Sequence, residues 1–111
     1  MSMQVIGQDD GLEISGLVID RTLTRGGREF FATVSQQLSP LEERPFTIEI
    51  RERIAPGRST FVNLYVDQTL IFQASLDPLP GRIEETAKRA MNRLAQYVAR
   101  RRFRESELES Y

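Results

Sequence analysis

The chain is 111 residues long, 40% hydrophobic and 28% charged, with 15 Lys and Arg against 16 Asp and Glu for a net charge of −1. That length holds one core with no room for two, and the composition is that of a folded domain rather than a disordered one. The charge balance argues against a general polyanion binder, and the absence of cysteine and histidine removes disulfides, thiol nucleophiles and the usual general base and transition-metal ligands.

Residues 1–11, with Gly7, Gln8, Asp9, Asp10 and Gly11, predict a flexible N-terminal segment. The start has neither a basic n-region nor a long apolar h-region. The expectation is therefore a cytoplasmic protein, or one whose signal peptide is not part of this sequence. Leu12 to Ile19 alternates in part and reads as an extended segment or a short edge strand, followed by a turn-rich stretch from Asp20 to Gly27. From about Arg28, Phe30, Phe31, Val34 and Leu38 recur at helical spacing, with Glu29 placed early for the helix dipole. Ser39-Pro40 ends that helix, because the residue before a proline is pushed out of the α region.

Phe46, Ile48 and Ile50 alternate with Thr47, Glu49 and Arg51, the period of a half-buried strand. Pro56-Gly57 supplies a turn, and Phe61 to Val66 reads as a second strand with Val62, Leu64 and Val66 on one face. Asp67-Gln68 is a short polar step into Leu70 to Ala74, so these two runs form an antiparallel hairpin. Pro78, Pro80 and Gly81 then break the chain before a helix over 82–102. Its apolar stripe is Ile83, Ala87, Ala90, Met91, Leu94 and Val98, with Glu84 and Glu85 in the first turn and Arg100, Arg101 and Arg102 in the last. An acidic flexible tail, 103–111, closes the chain. The expected fold is α+β in the order (β)αβββα: a small antiparallel sheet of three to four strands with two helices packed on one face.

No catalytic constellation emerges. Lys88 is the only lysine, Glu84 and Glu85 diverge by about 100° on their helix, and Asp9-Asp10 lacks the spacing of a calcium loop. Gly26, Gly27, Gly57 and Gly81 form no phosphate-cradling motif. The chain reads as a non-enzyme with no cofactor. Over 82–104 the last helix carries eight cations against two carboxylates, a net +6. That surface is either a docking face for an acidic partner or a solvated helix face, and nucleic acid is the weaker candidate because no run of aromatics is placed to stack on bases. Phe61 and Tyr65 share the face opposite Val62, Leu64 and Val66. They are either solvent-facing anchors for a protein partner or part of a sheet covered on both sides.

The order Gly16-Leu17-Val18, Thr22, Gly27 and Glu29-Phe30-Phe31 resembles the opening of the CsgE family of curli accessory proteins. Ile50-Arg51-Glu52-Arg53, Val66-Asp67-Gln68, Ile71-Phe72-Gln73, Leu76, Pro78-Leu79 and Glu85-Thr86 follow in the family's order and spacing. The resemblance covers about residues 12–102, which it marks as a single CsgE-like domain. It implies a periplasmic protein of curli (functional amyloid) secretion, with no direct insertion into the membrane. Such a protein binds the curli amyloid subunit, keeps it unfolded, and caps the outer-membrane curli secretion channel as a ring-shaped homo-oligomer. Arg58, Ser75 and Asp77 stand where the family commonly carries aromatic residues, and Phe61 stands where a tryptophan is usual. Phe61, Phe72 and Leu76 are the expected self-association surface, and Glu52, Arg53 and Arg58 are expected protein-interface residues. Arg100, Arg101 and Arg102 are the expected contact for an acidic partner.

Overall fold

Strands form where the alternation predicts them. The computed structural model describes residues 17–38 and 46–109. The expected flexible segment 1–11, the first residues of the expected edge strand and the Ser39-Pro40 helix stop lie outside the described residues. The elements run β1 (Leu17–Arg21), α1 (Arg25–Gln36), β2 (Thr47–Ile54), β3 (Thr60–Val66), β4 (Thr69–Leu76) and α2 (Arg82–Glu109). The order βαβββα and the α+β class are as expected.

The four strands form one sheet in the order β1-β2-β3-β4. β2, β3 and β4 are antiparallel neighbours, with Ile50 opposite Leu64 and Leu64 opposite Phe72. β1 departs from the expected all-antiparallel arrangement. It pairs parallel to β2, from Leu17 against Thr47 to Arg21 against Arg51, so the sheet is mixed. The connection explains this: parallel neighbours need a crossover, and α1 lies between β1 and β2 in the chain.

The core lies between the sheet and the two helices. Ile48, Ile50, Val62, Leu64 and Val66 from the strands meet Phe30 and Val34 of α1 and Ile83, Ala87, Ala90, Leu94 and Val98 of α2. The predicted stripes of both helices are therefore the buried ones. α2 runs longer than predicted, to Glu109 rather than 102. Arg100 to Arg102 consequently stand about two turns before its end instead of in the last turn.

The β3–β4 hairpin has two features that alternation alone does not disclose. Its two-residue turn places Asp67 at φ 48° and Gln68 at φ 73°, the left-handed pair that joins tightly twisted strands. The pairing also shifts between Leu64–Phe72 and Tyr65–Leu70, leaving Ile71 without a partner. At this bulge two consecutive side chains, Ile71 and Phe72, turn into the core. Asp67 is held in place from two sides: its backbone and carboxylate exchange hydrogen bonds with Thr47 at 2.8 and 2.9 Å, and Arg101 of α2 reaches it at 2.9 Å.

Left-handed backbone costs a residue with a Cβ roughly 1 kcal/mol. Gln68→Gly, which removes that cost at an exposed turn, is expected to raise stability by about 0.5–1 kcal/mol, read as a higher midpoint in urea with an unchanged slope.

Candidate functional site

Glu52 lies on β2 in phase with Ile48 and Ile50, and so faces the core at 6% exposure. A buried carboxylate must be hydrogen-bonded to be tolerated. Its Oε1 accepts from the backbone N–H of Leu23 at 2.6 Å and of Thr24 at 2.8 Å, and its Oε2 accepts from the Thr24 hydroxyl. The Thr24 oxygen in turn accepts from Gly27 N–H at 3.0 Å, capping α1. α1 has no acid in its own first turn, since it starts at Arg25 and leaves Glu29 beyond it. Glu52 supplies the negative charge from the neighbouring strand.

Gly27 makes this possible. A Cβ there would lie 2.0 Å from Glu52 Oε1 and 2.5 Å from its carboxyl carbon. Burial by itself raises the Glu52 pKa, but the bonds from the Thr24 side chain and the Thr24 and Leu23 backbone, with help from Thr60, outweigh it. The net shift is below the usual 4.5.

The sheet face away from the helices carries a second set of charges. Arg51 donates to Glu49 through Nε at 2.9 Å and Nη2 at 3.2 Å, and Arg21 of β1 reaches the same carboxylate at 2.7 Å. The hydrogen-bonded Arg51 guanidinium holds the Glu49 carboxyl below its usual pKa, against the opposing effect of burial. Arg51 stacks 4.2 Å over the Tyr65 ring, Asn63 donates to the Tyr65 hydroxyl, and Gln73 donates to Asn63. A polar ladder thus crosses from β1 to β4. Beside it Arg53 sits 5.0 Å over Phe61. Among the described residues, Phe61 and Tyr65 follow the solvent-side one of the two sequence readings: both rings are half-buried under arginines rather than under a second layer.

The expected interface residues separate into distinct places. Arg53 and Phe61 share the open face, and Arg58 ends the short 3-10 turn Pro56–Arg58 between β2 and β3. Phe72 and Leu76 do not lie with Phe61: they point into the core on the opposite face, at 8% and 7% exposure. Glu52 is the buried anchor described above. Arg100 and Arg102 are exposed on α2, whereas Arg101 is turned inward, bound to Asp67 and stacked 4.8 Å over Phe46. Arg101 therefore fastens α2 to the sheet, which leaves Arg100 and Arg102 as the exposed two of the three arginines. Sequence reasoning missed Glu49, Arg21 and the ladder, which need the register, and it counted Arg93 only as one of the eight cations of the last helix. Arg93 donates to the Ile71 carbonyl at 3.4 Å and, with Arg100, lines a groove of about 360 Å³ beside β4.

These features define an open-faced, two-layer α+β domain whose charged groups either lock elements together or line the exposed sheet face and edge. A family model, Curli assembly protein CsgE, matches residues 14–110. The chain belongs to the CsgE family, and its role is in curli assembly. No curated protein matches the chain.

Two adjacent glycines give opposite expectations. Gly27→Ala displaces the Glu52 carboxylate and is expected to cost about 2 kcal/mol or more. Gly26→Ala meets Leu76 and Ile83 at ordinary contact distances of 3.5 and 3.6 Å, and helix propensity makes it neutral to about 0.5 kcal/mol stabilising. Thermal denaturation of the two variants reads the difference directly.

A lowered folded-state pKa means that Glu52 contributes stability above its usual value of 4.5 and loses it as pH falls through the folded value. Glu52→Gln is expected to cost about 2–4 kcal/mol at pH 7. Its deficit against wild type should shrink as pH falls below 4.5, measured by urea unfolding at a series of pH values.

Proposed function

We propose that this protein is a periplasmic accessory factor of curli secretion that acts by binding alone. It engages the curli amyloid subunit before export and keeps it unfolded. As a ring-shaped homo-oligomer it also caps or gates the periplasmic mouth of the outer-membrane secretion channel. The family match across residues 14–110 carries this reading. An apolar strand edge on an amyloid subunit is a template for aggregation, and a folded partner that covers it transiently is sufficient to hold the subunit back.

The surfaces available for such contacts support a division of labour. The open sheet face, with Phe61 under Arg53 and the adjoining Arg58 turn, is the proposed self-association surface. Phe72 and Leu76 underlie it from the core side, so they influence the surface by holding β4 in place. Arg100 and Arg102, exposed on α2, are the proposed contact with an acidic partner.

Light scattering on the purified protein, followed by a fibrillation assay with purified curli subunit, tests this reading. The expected result is a large discrete oligomer and a lengthened lag phase at substoichiometric dose. A monomer that leaves fibrillation unchanged would overturn it.

A further inference from the structure

We propose that the β4 edge and the arginines of α2 beside it form one docking track for an extended, carboxylate-bearing segment of a partner polypeptide, which adds to the sheet as a fifth strand. The inference rests on the binding role proposed above and assigns it a place on this chain.

Among the described residues β4 is the last strand of the sheet, so alternate residues along it turn backbone N–H and C=O groups outward with no strand to receive them. α2 follows this strand in the opposite direction. Ile83 and Leu76 meet at Gly26, Arg89 stands 5.9 Å over Phe72, Arg93 donates to the Ile71 carbonyl, and Arg100 lines the groove with Thr69 and Leu70. Arg89, Arg93, Arg100 and Arg104 recur at intervals of four and seven residues and so share one side of the helix. Among the described residues, neither Arg93 nor Arg100 has an acidic partner.

A strand laid along β4 would alternate its side chains, one set over the open face and the other toward α2. Acidic residues in the second set would meet this row of cations, while the backbone would supply the hydrogen bonds. The other edge is a poorer fit for the same ligand. β1 carries the exposed acid Asp20 and commits its arginine, Arg21, to Glu49.

The test uses the full chain and a fluorescein-labelled peptide of four Val-Glu repeats, followed by fluorescence polarisation and backbone amide shifts. Binding should perturb Gln73 to Leu76 and Arg93 to Arg100. It should weaken at least tenfold in Arg93→Glu/Arg100→Glu, and in Arg100→Glu alone it should weaken without any change in the far-UV spectrum. A peptide of the same sequence N-methylated at alternate residues keeps the charges but loses the strand donors, and should bind at least tenfold more weakly. Equal binding of the methylated peptide would reduce the site to charge attraction and overturn the proposal. So would shifts confined to Leu17–Arg21, or no binding at all.

The double variant is also carried through the curli-subunit fibrillation assay. If wild type and variant delay fibrillation equally, the accessory role stands and this site is wrong. If wild type gives no delay, the accessory role fails, and the peptide measurements still decide the edge.

Discussion

The structure depends on one buried carboxylate. Glu52 enters the core side of β2 with its charge intact and is neutralised by the N-terminal end of α1, which brings Leu23, Thr24 and, through Thr24, Gly27 to it. The same contact joins three stretches of chain: β2, the turn after β1, and the first turn of α1. Since β1 and α1 have no hairpin to fix them against β2, this anchor sets where the crossover begins. A neutral, apolar residue would leave the backbone donors of Leu23 and Thr24 facing a dry interior, the costly half of any buried hydrogen bond.

Charge elsewhere in the molecule divides between fastening and display. Glu49 is shared by two arginines, and Arg101 is held by Asp67 and covers Phe46. These groups tie neighbouring strands together and α2 to the hairpin turn. Arg93 and Arg100, by contrast, border a groove with no carboxylate among the described residues to meet them. The near-zero net charge of the whole chain conceals this division. A balanced count is compatible with a concentrated basic row wherever the acids are spent on internal pairs or lie at a different part of the surface.

The alternation in β2 and β3 and the apolar stripes of both helices were legible in the sequence because burial imposes those periods. The family pattern was legible as motifs in fixed order rather than through physics. What the sequence hid was tertiary. The start of α1 was placed late because its first turn contains two glycines and no acid, and the missing charge arrives from β2. Glu52 was assigned to a surface although its phase with Ile48 and Ile50 was already that of the core. Arg101 falls three residues after Val98, on the buried stripe, but its type suggested solvent. Phe72 was assigned to a surface, with Leu76, on the family pattern, which carries no phase; the bulge at Ile71, which no local residue type announces, puts Ile71 and Phe72 both in the core. Parallel pairing of β1 was equally silent, since a strand's direction is decided by its connection.

The bulge has a further consequence. A flat strand edge offers every copy of a protein the same surface that it offers a partner, and repetition of that pairing is how fibres propagate. Ile71 interrupts the pairing rhythm near the hairpin end of β4, and bulges increase local twist, so two copies of this edge cannot run side by side in regular register along its full length. A single flexible segment can bend to follow such an edge, whereas a rigid copy of the same sheet cannot. In a protein of curli assembly, this geometry leaves a strand edge exposed that does not pair regularly with a copy of itself.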